Sequence, residues 1–185
     1  MPAVELPPPP TLTDGVVALR PLEERDATPF AWAFRDDPHL ASAIGVEEEP
    51  TEELLRERFA ADAHTPPAGA IQLAVADATT DAFLGTVILH SYNGRHGRIE
   101  VGFWLARDAR GRGLGSRAVT LAVSWAFETL GVARVEMTTL PDNAGALALA
   151  AALGFEREGV MRSRNFERGR RVDVVMLGVL RDEWA

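Results

Sequence analysis

The stretch from Arg98 to Leu130 constrains the fold more than any other part of the chain. Arg98 to Ala106 alternates strictly, with Ile99, Val101, Phe103 and Leu105 on one face and Glu100, Gly102, Trp104 and Ala106 on the other. That period of two is a strand with two different faces. The turn Arg110-Gly111-Arg112-Gly113-Leu114-Gly115-Ser116 follows. From Gly115 to Leu130 the only polar stripe is Arg117, Thr120, Ser124 and Glu128, at helical spacing, and the remainder is apolar or small. Such a helix lies largely buried against a sheet, and Gly131 is a natural stop. Strand, glycine turn and buried helix in succession make an anion site. The first N–H groups of the helix lack intrahelical partners, and the dipole adds about half a positive charge there. Glycines at 111, 113 and 115 permit positive φ and close approach of a ligand, and Arg110 and Arg112 add charge.

The other segments read as helices interleaved with strands. Val16 to Pro21, Ile71 to Ala76, Phe83 to His90, Arg134 to Thr139 and Val172 to Leu180 are strand-like; Asp26 to Arg35, Thr51 to Ala63 and Ala144 to Leu153 are helix-like. Asp36-Asp37-Pro38, Asp77 to Asp81 and Tyr92 to Arg95 are turns, and the Arg168-Gly169 turn predicts a hairpin. Residues 1–12 read as a flexible Pro-rich leader and 13–185 as one domain. The class is mixed α/β, or α+β by some schemes.

Composition narrows the function. There is no cysteine, which removes disulfides and thiolate chemistry, and all 19 basic residues are arginine, which removes lysine Schiff bases. A net charge of −8 argues against broad nucleic-acid binding. No segment approaches the roughly 20 apolar residues of a membrane span. No signal peptide is read at the Pro-rich start, so a cytoplasmic location is expected.

Three readings of the glycine turn compete with a ligand-free turn. A Walker loop needs Lys-Ser/Thr after its last glycine, whereas Ser116-Arg117 follow Gly115. A dinucleotide fingerprint needs glycine at Ser116 and an acidic residue ending the strand at Thr139. The pattern Arg110-x-x-Gly113-x-Gly115 instead resembles the acyl-CoA loop of the GCN5-related N-acetyltransferase (GNAT) superfamily. Leu19-Arg20-Pro21-Leu22, Glu100 to Leu105, Asp142-Asn143, Leu153-Gly154-Phe155, Glu158-Gly159, Asp173-Val174-Val175 and Glu183-Trp184 resemble successive blocks of its RimJ/RimL-like ribosomal-protein-alanine acetyltransferase branch.

The resemblance implies a mostly antiparallel central sheet of about seven strands flanked by helices. Acetyl-CoA would lie in a V-shaped split between strands four and five. Backbone groups of Phe103, Trp104 and Leu105 would hold pantetheine. Those of Gly111, Arg112, Gly113, Leu114, Gly115 and Ser116, with Arg110 beside them, would take the pyrophosphate. Asn143 would contact the cofactor or the transferred acetyl group. The acceptor would be a primary amine on a peptide N-terminus or a small molecule; a homodimer is plausible and no metal is expected.

Glu100 is the candidate base; the alternatives are an ion pair across the sheet with an arginine such as Arg98 or Arg134, or a merely solvated carboxylate. The family's usual tyrosine acid is replaced by Ala150, and a serine and a carboxylate of the ribosomal branch by Ala146 and Asn165. Tyr92 and Ser163 are substitutes of last resort. The gaps leave open a CoA-binding sensor or scaffold. His39, His64, His90 and His96 read as exposed or loop histidines. Trp32 and Phe34, with Trp104, could line an acceptor pocket, and a core or dimer role is the alternative for Trp32 and Phe34. Arg162, Arg164, Arg168, Arg170 and Arg171 read as a solvated hairpin face, with acidic-acceptor or RNA binding as the alternative.

Overall fold

A computed structural model describes residues 6–37, 40, 50–64, 69–167 and 169–184, without the side chains of 62–64. Pro38, His39, Arg168, the His64 side chain and the start of the expected leader lie outside the described residues. Among the described residues eight strands form one sheet: β1 (Leu12–Thr13), β2 (Val17–Pro21), β3 (Ile71–Asp77), β4 (Phe83–Asn93), β5 (Arg98–Leu105), β6 (Arg134–Thr139), β7 (Glu156–Glu167) and β8 (Arg170–Leu180). Their spatial order is β1-β2-β3-β4-β5-β6-β8-β7. Every neighbouring pair is antiparallel except β5–β6. The expected count of about seven misses only the two-residue β1, so the family's fourth and fifth strands are β5 and β6 here. Within the expected leader, Leu6 and Leu12 pack against the larger core.

Helices cover both faces. On one, α3 (Leu114–Trp125, continuing as a π-helical turn to Leu130) buries Leu114, Ala118, Val119, Ala122 and Val123. These meet Leu73, Val87, Ile99, Val101, Val135 and Leu177 from five strands. α4 (Ala144–Ala152) lies on the same core through Ala150. On the other face α1 (Ala27–Asp36) and α2 (Glu52–His64) build a second core. Thr51 caps α2 by accepting from the Leu54 N–H (3.2 Å).

The alternation of β5 serves both cores. Ile99 and Val101 enter the first, and Trp104 enters the second, its ring 4.9 Å from Phe30 and 6.1 Å from Phe34 in edge contacts. Phe34 and Trp104 are therefore core residues, whereas Trp32 is 53% exposed. Beneath α1, Arg20 of β2 reaches Asp26 (2.7 and 2.9 Å) and Asp81 (2.7 Å). Asp26 is 2% exposed, so removing Arg20 would leave a buried charge uncompensated, at a cost of about 3–5 kcal/mol.

Candidate active site

β5 and β6 pair through only three residues of each: Arg98 with Arg134, Ile99 with Val135 and Glu100 with Glu136. Beyond that point each strand follows its other neighbour. β5 stays with β4 up to Leu105 opposite Gly85, and β6 stays with β8 up to Thr139 opposite Val175. The sheet opens into a V whose closed end is Glu100. One wall is the edge of β5 from Val101 to Leu105. Gly85 holds that wall close to β4: a Cβ there would strike the Trp104 carbonyl and come 2.7 Å from Leu105 Cα.

The open end of the split leads to the glycine turn. A short 3₁₀ turn, Arg107–Ala109, ends β5. Gly111 (φ 72°) and Gly113 (φ 74°) then adopt the left-handed conformation that other residues reach only with strain. Gly113 is the N-cap of α3, and no side chain caps that helix. Gly115 answers to space instead. A Cβ there would meet Leu149 Cδ1 at 3.2 Å and Leu105 and Phe103 at 3.5 Å, so its absence lets α3 dock onto β5 and α4. Leu114 is buried, Ser116 half-buried and Arg112 exposed. Arg110 braces the loop: its Nε donates to the Leu105 carbonyl (2.8 Å) and its Nη2 lies 2.6 Å from Asp37. Arg117 faces Asp14 at 2.7 Å.

Asn143 stands at the end of the β6 wall as the N-cap of α4, its Oδ1 accepting from the Ala146 N–H (3.1 Å). The split thus runs between Phe103–Leu105 on one side and the β6–α4 junction on the other.

At the closed end, the alternative pairing for Glu100 does not form. Arg98 (2.8 Å) and Arg134 (2.9 Å) both bind Glu136, and Glu100 accepts from the Thr138 hydroxyl. Arg134 also crosses β8 to Glu158 of β7 at 2.5 Å. It can do so because position 178 is glycine: a Cβ there would lie 2.6 Å from the guanidinium carbon. The hydrogen bonds that Arg134 donates to Glu158 and to Glu136 raise its pKa above the usual value despite burial. Those from Arg134 hold the Glu158 carboxyl below its usual 4.5.

His90 departs from the expectation of an exposed loop histidine. It lies half-buried within β4, directly across from Glu100. Its Nδ1 is 2.9 Å from Ser91 Oγ, and its Nε2 is 3.8 Å from where a Gly102 Cβ would stand. The strand register shifts between His90 and Asn93, and Ser91 has φ 55°. Bulges of this kind re-aim side chains. This one also carries β4 to Asn93, into the first half of the turn expected at Tyr92–Arg95, while Gly94 and Arg95 turn as expected. The local sequence offers one signal, the i, i+10 pairing of His90 and Glu100 around the Asn93–Gly94 turn, but the bulge that fixes the register is not visible in it. Tyr92 packs against the larger core, and the Ser163 N–H donates to Asp173 (2.8 Å). His96 is exposed in the turn as expected.

Beside Glu100 opens a cleft of about 390 Å³ lined by residues including Ser91, Arg98, Glu136, Thr138, Arg164 and Asn165. A sheet split between β5 and β6, with a helix N-terminus beyond one end and a carboxylate at the other, is the arrangement of an acetyltransferase fold. The profile of the acetyltransferase (GNAT) domain matches residues 17–156, and the chain belongs to that family.

The chain is 33% identical over 106 residues to the uncharacterized N-acetyltransferase p20 of Bacillus licheniformis, covering 57% of this chain and 60% of that one. It therefore spans about three-fifths of that relative's length. Among solved structures, the ribosomal-protein-S5-alanine acetyltransferase of Vibrio fischeri shares the fold with a TM-score of 0.78 at 22% identity, over 95% of this chain and 99% of that one. A spermidine N-acetyltransferase of Vibrio cholerae, in complex with CoA and spermine, does so with a TM-score of 0.78 at 22% identity, over 92% and 98%. The resemblance to the RimJ/RimL-like branch stands at the level of the fold.

Proposed function

We propose that the chain is an acetyl-CoA-dependent N-acetyltransferase that moves the acetyl group to a primary amine by direct attack on the thioester. The observation that carries this reading is the split itself. It leaves a strand edge open from Val101 to Leu105 and joins it to the N-terminus of α3, with Glu100 at the closed end.

In this reading the main chain of Phe103, Trp104 and Leu105 holds pantetheine as a neighbouring strand would. The N–H groups from Gly111 to Ser116 take the pyrophosphate, with Arg112 supplying charge and Arg110, held on Asp37 and the Leu105 carbonyl, bracing the loop beside it. Asn143 fixes the start of α4 against the acyl end. An N–H of Trp104 or Leu105 steadies the oxyanion as the amine attacks. Glu100 accepts the amine proton, through water, and the departing thiolate is protonated by water. A free α-amine has a pKa near 8 and lysine near 10.4, a difference of about 3.4 kcal/mol that favours an N-terminal or weakly basic acceptor. His90, paired with Glu100 across β4 and β5, is a second group placed to pass that proton on.

The test is release of CoA from acetyl-CoA over a panel of peptide and small-molecule amines. Acceptor-dependent release is expected. Tight acetyl-CoA binding without release from any acceptor would point instead to a sensor or scaffold. A cytoplasmic site of action goes with this reading; among the described residues no helix is long and apolar enough to cross a membrane.

A further inference from the structure

The cleft beside Glu100 carries two charges that the fold leaves uncancelled. Of its carboxylates, Glu136 is engaged by Arg98 and Arg134, whereas among the described residues Glu100 holds only the Thr138 hydroxyl. The far wall contributes Arg164, which is exposed and makes no ion pair among the described residues. Met161, Arg164 and Asn165 all line the cleft, yet adjacent residues of a regular strand face opposite sides. The pairing of β7 with β8 slips between Met161 and Asn165, so that two more residues fit in β7 than in β8. Ser163 adopts φ 53° within the slip, and its N–H is anchored on Asp173. The bulge turns Arg164 back toward Glu100's side of the sheet, as bulges beside binding sites do. Ser91, the other strained serine, lines the same cleft from β4.

We infer that the acceptor carries an anionic group beside its reacting amine and that Arg164 recognises that group. The inference rests on the acetyltransferase reading above. The amine end lies toward Glu100 and the anion toward Arg164, whose planar guanidinium suits a carboxylate. A peptide N-terminus followed by an acidic residue has this pattern. A polyamine would meet Glu100 and then a like charge, which selects against it. Arg162, Arg170 and Arg171 extend the positive field outward along the same hairpin, in a chain whose net charge is −8.

The full chain, saturated with acetyl-CoA, is assayed for thiol release with the amidated tetrapeptides Ala-Asp-Ala-Ala, Ala-Lys-Ala-Ala and Ala-Ala-Ala-Ala, and with spermidine. The aspartyl peptide is expected to exceed the alanyl one in kcat/KM by about tenfold, mainly through KM, and the lysyl peptide and spermidine to fall below it. Within Arg164→Gln the aspartyl-to-alanyl ratio is expected to fall to near one, and within Arg164→Glu to invert. Reading a ratio inside each variant cancels any general loss of active protein. A wild-type preference for the lysyl peptide or spermidine, or an aspartyl preference that survives Arg164→Glu, would overturn the inference and leave acetyl transfer standing. Absence of release with all four acceptors while acetyl-CoA still binds would overturn the activity reading, and the inference with it.

Discussion

Gly113 concentrates two demands on one residue. Its φ of 74° lies where a side chain is strained, and as the N-cap of α3 it stands where the proposed pyrophosphate would approach. Nothing lies within 4 Å of a Cβ built there, so a substituted side chain would occupy the ligand's space and not the protein's. Gly113→Glu is therefore expected to leave a folded protein whose affinity for CoA, by calorimetry, falls below detection. Unchanged affinity would move the donor site elsewhere. Glu100 poses the complementary question at the closed end of the split. Glu100→Gln keeps the acceptor for the Thr138 hydroxyl and removes the proton acceptor. Turnover is expected to fall at neutral pH by about 10²–10⁴-fold, the usual scale of general-base loss, and by less as rising pH deprotonates the amine. Equal slowing at every pH would exclude Glu100 as the base. The residue types at both ends were legible in the sequence because each lies in a short local pattern. That Arg98 and Arg134 would both choose Glu136 was not, because the choice depends on the three-pair register of β5 and β6.

Among the elements, β7 is tied to β6 across β8 by the Arg134 side chain. Arg134 leaves β6, crosses Gly178 of β8 and ends on Glu158 of β7, so one guanidinium spans three strands. The Glu158 pKa is lowered on folding, so the bond adds stability above the unfolded value of 4.5 and loses it as pH falls through the folded one. The Arg134 pKa is raised, and its contribution is present throughout the range below its unfolded pKa. Glu158 is 42% exposed, which limits the effect to about 1 kcal/mol. Glu158→Gln should lower the urea midpoint at pH 7 and merge with wild type well below pH 4.5. Gly178→Ala displaces the same guanidinium, and the two changes together should cost little more than either alone. Strict additivity would show that Gly178 serves some other purpose. The hairpin was legible from its turn. The slips at Ser91 and Ser163 were not, since a bulge is set by both strands, and with them went the placement of His90 and Arg164.

Over the whole molecule, the two cores follow from patterns written along the chain. The apolar stripe of α3 and the alternation of β5 fixed one helix layer and assigned opposite faces. Of the aromatics that could line an acceptor pocket, Phe34 takes its alternative place in the core, and Trp104 closes the same core, because an aromatic on a strand face buries readily wherever a helix covers it. Length and order of elements were readable; which aromatic meets which helix was a tertiary outcome.

The short seam between β5 and β6 has a mechanical consequence. Five strands on one side and three on the other are riveted by three residue pairs, so the sheet carries a crack arrested at Glu100. A donor lying along Val101–Leu105 would act as a splint, a ninth strand made of something other than protein. Saturating CoA should then slow hydrogen exchange at alternate amides between Val101 and Leu105. It should also stabilise the fold by about 2.7 kcal/mol at a hundredfold excess over Kd. Protection confined to other regions would show that the crack stays open and the donor lies outside it.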